Sequence, residues 1–172
     1  MVNGRLFKRF MSIYRDKNNM QSFKNYYQSL CNWIDSNKNM IGSELISRTC
    51  LDKMMSLDLD YYLVDPNSNG LCLEKEEKRM VKEYSNIESL LISIFYTLWD
   101  MVTISSVAEC SNRGCGKDGD LRYIKINNSK VVLECNICGH VQNLDGSKVE
   151  EKIVNFLPAT KHEVELAIGH NL

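Results

Sequence analysis

Two cysteine pairs limit this chain more than anything else in it. Cys110 and Cys115 are spaced C-x4-C, Cys135 and Cys138 are spaced C-x2-C, and nineteen residues separate the pairs. That is the spacing of a structural zinc site, in which four thiolates close a tetrahedron around one ion. A chain that delivers both pairs to one point must turn back on itself between them. Leu121, Tyr123, Ile124 and Ile126 form one β-prone run, Asn127-Asn128-Ser129-Lys130 a turn, and Val131, Val132 and Leu133 a second run, so a β-hairpin is expected. Gly116 and Gly139 each follow the second cysteine of a pair, where a residue without Cβ lets backbone amides fold over the sulfur. His140 is a further candidate donor, since imidazole also binds zinc.

With its two knuckles, C-S-N-R-G-C-G and C-N-I-C-G-H, flanking that hairpin, the segment from Glu109 to Gln142 resembles a zinc ribbon. The resemblance covers about a fifth of the chain and implies a fold element holding Zn2+, not an activity. The four-residue gap in the first pair departs from the commoner two. A competing redox role for Cys135 and Cys138 would need a βαβ pattern around the pair, and none surrounds it. Cys31, Cys50 and Cys72 read as small buried hydrophobes, the first two on apolar helical stripes.

Outside the ribbon the periodicity is helical. Leu6, Phe7, Phe10, Met11 and Tyr14 recur at three- and four-residue spacing, as do Met20, Phe23, Tyr27, Leu30, Cys31 and Ile34. A third stretch starts near Ser43, with Leu45, Ile46, Cys50, Leu51 and Met54 facing inward. The strongest pattern runs from about Glu74 to Ser105, where Leu91, Ile94, Leu98 and Trp99 fall on one wide apolar face expected to be buried. After the ribbon, Ser147 with Glu150 and Thr160 with Glu163 each fit a capping box, with Gly169 as a stop. The expectation is a mainly α protein: a helical domain over 1–108, a zinc ribbon inserted at 109–142, and C-terminal helices over 143–172 that pack back on the helical domain.

Composition narrows the function. Hydrophobic residues at 44% and charged residues at 25% are ordinary for a globular protein. Seven cysteines and no secretory signal point to a reducing, cytoplasmic setting, and the most apolar run, Leu90 to Ile104, is too short to span a bilayer. No catalytic residue is assigned. Four thiolates leave zinc no open coordination position, and there is no Gly-rich phosphate loop, nucleophile elbow or H-E-x-x-H. His162, beside Lys161 and Glu163, reads as a solvated helix position.

Nucleic-acid binding is the alternative for a zinc ribbon, and charge speaks against it. From Glu109 to His140 five basic residues face four acidic ones, and a tetrathiolate zinc brings the module to about −1. The first forty residues carry seven basic and two acidic residues, a pattern that a solvated helical face also produces. Where helical periodicity lapses, Asp58, Asp60, Tyr61, Tyr62 and Asp65 form an acidic, aromatic segment suited to a basic protein partner. In type, a small intracellular chain of this kind is similar to bacterial immunity proteins that neutralise nuclease toxins. The expected function is therefore non-enzymatic: protein–protein binding, with a basic partner such as a nuclease toxin.

Overall fold

The computed structural model describes residues 4–15, 23–62, 86–115 and 119–169. Within them the chain forms two compact units. The first is helical, with α1 (Gly4–Arg15), α2 (Phe23–Ile41), α3 (Ser43–Arg48), α4 (Leu51–Met55) and all but the last residue of α5 (Ile87–Val102). The spacing of apolar residues explains these helices. Leu6, Phe10 and Met11 of α1, and Tyr27, Leu30, Cys31 and Ile34 of α2, are all buried, so each helix offers one apolar stripe to the core. Phe10 meets Trp33 edge-on with ring centroids 5.3 Å apart, and the Tyr27 hydroxyl donates to the Met54 carbonyl at 2.7 Å, tying α2 to α4. On α5, Leu91, Ile94, Leu98 and Trp99 are 0–4% exposed, as the width of that face requires. Cys31 is buried as a hydrophobe would be, and burial pushes its thiol up to about 12. Cys72 and the first part of the stretch expected to be helical from Glu74 lie outside the described residues.

The second unit corrects the expectation of a mainly α bundle. It is built on a five-stranded antiparallel sheet, so the chain is mixed α and β. Its strands are β1 (Ile104–Ser106), β2 (Leu121–Ile126), β3 (Lys130–Cys135), β4 (Val141–Gln142) and β5 (Phe156–Pro158), and α6 (Lys161–Ile168) follows. The hairpin expected from sequence is present as β2 and β3, paired from Leu121 with Cys135 to Ile126 with Lys130. Asn127 and Asn128 turn it with φ of 51° and 63°, the left-handed pair that matches the twist of a tight hairpin. That hairpin is not an isolated ribbon but the middle of the sheet. β1 pairs with Leu121–Tyr123 and β5 with Ile124–Ile126, so the two strands share one edge of β2 end to end. β4 lies on the far side of β3.

Two local expectations fail for the same reason. Ser105 is in β1 rather than at the end of a helix, because α5 stops at Val102. The capping pair Ser147 and Glu150 starts no helix. Ser147 instead closes a turn, donating its amide to Asp145 Oδ1 and accepting from the Asn143 amide through its carbonyl. The helical spacing of Val149, Ile153, Phe156 and Leu157 is overridden by pairing with β2. Ala159 N–H donates to the Tyr123 carbonyl and Asn127 N–H to the Asn155 carbonyl. This phase turns Pro158 away from β2, where its missing N–H costs no ladder bond. The second capping box is as expected: Thr160 Oγ1 accepts from the Glu163 amide at 3.2 Å, and Glu163 Oε2 accepts from the Thr160 amide at 2.8 Å. Val164 of α6 packs with Ile104 and Ala159 beneath Tyr123 and Val131, and Lys125 reaches Glu163 at 2.6 Å.

Candidate metal centre

The four cysteines arrive from four places in the second unit. Cys110 lies in the segment after β1, Cys115 ends a 3-10 turn (Arg113–Cys115), Cys135 is the last residue of β3, and Cys138 sits in the turn before β4. Their sulfurs all lie within 4.8 Å of one another. Cys110 Sγ is 3.8 Å from Cys138 Sγ, and Cys115 Sγ is 3.5 Å from Cys135 Sγ. A disulfide would need about 2.05 Å. A zinc tetrahedron with Zn–S bonds of about 2.3 Å has edges of about 3.8 Å, so the sulfurs stand where four ligands of one ion would stand. The donor set fits as well, since thiolates favour zinc over harder cations.

The residues around the sulfurs hold that arrangement. Gly139 has φ of 66°, which lets the second knuckle close with its amide donating to the Cys135 carbonyl at 2.9 Å. The Cys135 amide in turn donates to the His140 carbonyl at 2.9 Å. Asn112 orders the first knuckle: its Oδ1 accepts from the Gly114 amide at 3.1 Å, and its Nδ2 donates to Cys138 Sγ at 3.6 Å. His140 is not among the clustered donors. Its Nε2 pairs with Ser111 Oγ at 3.1 Å, beside the sulfurs rather than in their place. Gly116 lies outside the described residues.

Two residues that sequence reasoning passed over support the site closely. A Cβ on Gly119 would stand 2.4 Å from Cys135 Sγ and 3.3 Å from Cys115 Sγ, so only glycine lets the backbone pass the cluster there. Its position two residues before β2, rather than directly after a cysteine, hid that role. Gln142, 1% exposed on β4, accepts from the Ser111 amide through Oε1 at 2.7 Å and donates from Nε2 to the Glu109 carbonyl at 3.2 Å. It clamps the backbone on both sides of Cys110. A polar residue in a two-residue strand gives no sequence signal of this kind.

Electrostatics favour a cation. Hydrogen bonding with the neighbouring thiols, Cys135 first and Cys138 next, pushes the Cys115 thiol up to about 12, while burial raises that of Cys110. The amide of His140 brings Cys138 down to about 7. A bound dication would favour the thiolate form of the sulfurs outright. When bound, zinc would supply a cross-link joining the β1–β2 connection to the end of β3.

The acidic, aromatic segment is placed in part. Leu59–Tyr61 forms a 3-10 turn anchored by buried Leu59. Asp58 and Asp60 are exposed, and Tyr61 is 65% exposed. Tyr62 is half-buried, and its hydroxyl is held above the usual range by burial and by the charge of Glu163. Asp65 lies outside the described residues. Among the described residues, no helix is long and apolar enough to cross a membrane. Compared with protein-family models, curated proteins and solved structures, the chain matches none of them.

Proposed function

We propose that this protein is a non-enzymatic binding protein in which zinc stabilises the sheet unit and a surface segment engages a basic protein partner. The observation that carries the reading is the exposure of Tyr61 beside Asp60, with Asp58 also exposed, on a turn anchored by buried Leu59. A large aromatic held out in solvent on an anchored turn is an interface anchor whose ordering cost is already met, and neighbouring carboxylates steer a cationic surface toward it. Four thiolates around one ion leave no open position for substrate, which directs the metal to structure rather than chemistry. A nuclease toxin is the partner class with the matching charge, because it must be positive where it holds phosphates.

The test is a double replacement, Asp60→Ala with Tyr61→Ala, assayed against the product of the adjacent gene. Binding weakened by tenfold or more, with zinc content unchanged, supports the reading; unchanged affinity removes this segment from the contact. Retention on heparin at moderate salt, with no protein captured, would instead move the function to nucleic acid.

A further inference from the structure

Taking the zinc reading as its basis, we infer that Cys138 is the site at which peroxide-type oxidants open the metal centre, with Cys110 as the thiol that completes a disulfide. The four sulfurs are not equally shielded. Cys135 is 1% exposed and Cys110 6%, Cys115 is half-buried, and Cys138 alone among them is exposed, at the tip of the turn between β3 and β4. Thiolate oxidation requires an approach to sulfur from solvent, so accessibility selects the residue. The second step needs a sulfur within reach, and Cys110 Sγ is 3.8 Å away, a gap that a modest closure of the exposed turn can bring to bonding distance.

The reaction balances with hydrogen peroxide as the only co-reactant. The Cys138 thiolate attacks one peroxide oxygen, the O–O bond breaks, and a sulfenic acid forms with release of hydroxide. The Cys110 thiolate then attacks the Cys138 sulfur, the S–O bond breaks, and a second hydroxide leaves as the disulfide forms. Two thiolates lose two electrons in total, and the peroxide gains them. Two thiolates remain, too few to retain the ion. Asn112 restrains the first step, since its Nδ2 donates to Cys138 Sγ and lowers that sulfur's nucleophilicity.

The experiment treats the zinc-loaded full chain with hydrogen peroxide, follows released zinc with a colorimetric chelator and maps the oxidised cysteines by mass spectrometry. Trapping with a sulfenic-acid reagent at early times should label Cys138 ahead of the other three, and the late product should contain a Cys110–Cys138 disulfide in step with zinc release. Asn112→Ala removes the hydrogen bond to Cys138 Sγ along with one in the first knuckle, and should speed sulfenic-acid labelling of Cys138 several-fold beyond any change in zinc release without peroxide. First labelling at Cys115, or a Cys135–Cys138 disulfide as the main product, overturns the inference while leaving the zinc reading intact. A purified chain that holds no zinc overturns both.

Discussion

The two units of this molecule reach stability by different routes. In the helical unit the core is made of large side chains with almost no exposure, among them Phe10, Tyr26, Tyr27, Leu30, Leu51, Leu90 and Leu91. Burying such residues contributes roughly 1.5–3 kcal/mol each. In the sheet unit one apolar cluster consists of Leu121 and Leu133 with the sulfurs of Cys110 and Cys135, and another of Ile104, Ala159 and Val164. Three of its five strands have two or three residues. Strands so short hold together only when something besides apolar area fixes their ends. The comparison teaches that Cys110 and Cys135 are part of a core cluster as well as of the sulfur site, so that loss of a bound ion would strike the second unit within one of its apolar clusters.

The sharpest way to break that comparison is to remove the metal. Structural zinc supplies an apparent ~10–16 kcal/mol in small metal-dependent folds. Cys135→Ser, or dialysis against a strong chelator, should abolish zinc binding and much of the β signal in circular dichroism while the helical signal persists. If both units melt together, they are not independent in the way their cores suggest. The converse change is Leu98→Ala in α5, at a site with 0% exposure. It should cost about 2–5 kcal/mol in chemical denaturation and leave zinc stoichiometry at one per chain. A loss below about 0.5 kcal/mol would show that this face behaves as surface.

Gln142→Ala should fall between these two in character. It removes the part-buried hydrogen bonds to the Ser111 amide and the Glu109 carbonyl, for a loss of about 0.5–1.5 kcal/mol. Because those groups flank Cys110, zinc affinity should drop by about 10–100-fold, which a competing chelator measures directly. An unchanged affinity would separate the clamp from the metal.

The smallest effect concerns pH. Burial tends to raise the Glu163 carboxyl, but hydrogen bonds from Lys125 and from Thr160 outweigh it and hold the group below its ordinary value of 4.5. A carboxyl depressed in the folded state stabilises above its unfolded pKa, and that contribution fades as pH falls through and below this value. Glu163→Gln keeps the capping geometry and loses the charge, so wild type should exceed it by less than about 1 kcal/mol at pH 7. The difference should narrow below pH 4.5, as urea denaturation at each pH would show.

How much of this was legible in the residues follows from the range over which each signal acts. The four ligands and the β2–β3 hairpin were readable because spacing and turn chemistry are local, and Asn127-Asn128 carries its own backbone preference. Thr160 and Glu163 were readable for the same reason. β1 and β5 were not. Three residues are too few for an alternating pattern to appear, and Phe156 and Leu157 also fit a helical period. What decides them is pairing with β2, a partner fifteen or more residues away in sequence from the nearer of the two. Gly119 and Gln142 escaped because their importance lies in what stands next to them in space.

The shared edge of β2 has a consequence for how the chain is made. Ile104–Ser106 precedes β2 and can pair with it as soon as Leu121–Tyr123 has left the ribosome, whereas Ile124–Ile126 must wait until Phe156–Pro158 follows. For the time needed to translate about thirty residues, half of that edge offers unmet N–H and C=O groups beside Ile124 and Ile126. Within that interval, once Cys138 has emerged, the hairpin and all four cysteines are out while Phe156–Pro158 is still to come. Early capture of zinc would then hold the nascent sheet in register, making metal supply a matter of timing during synthesis as well as of stability afterwards.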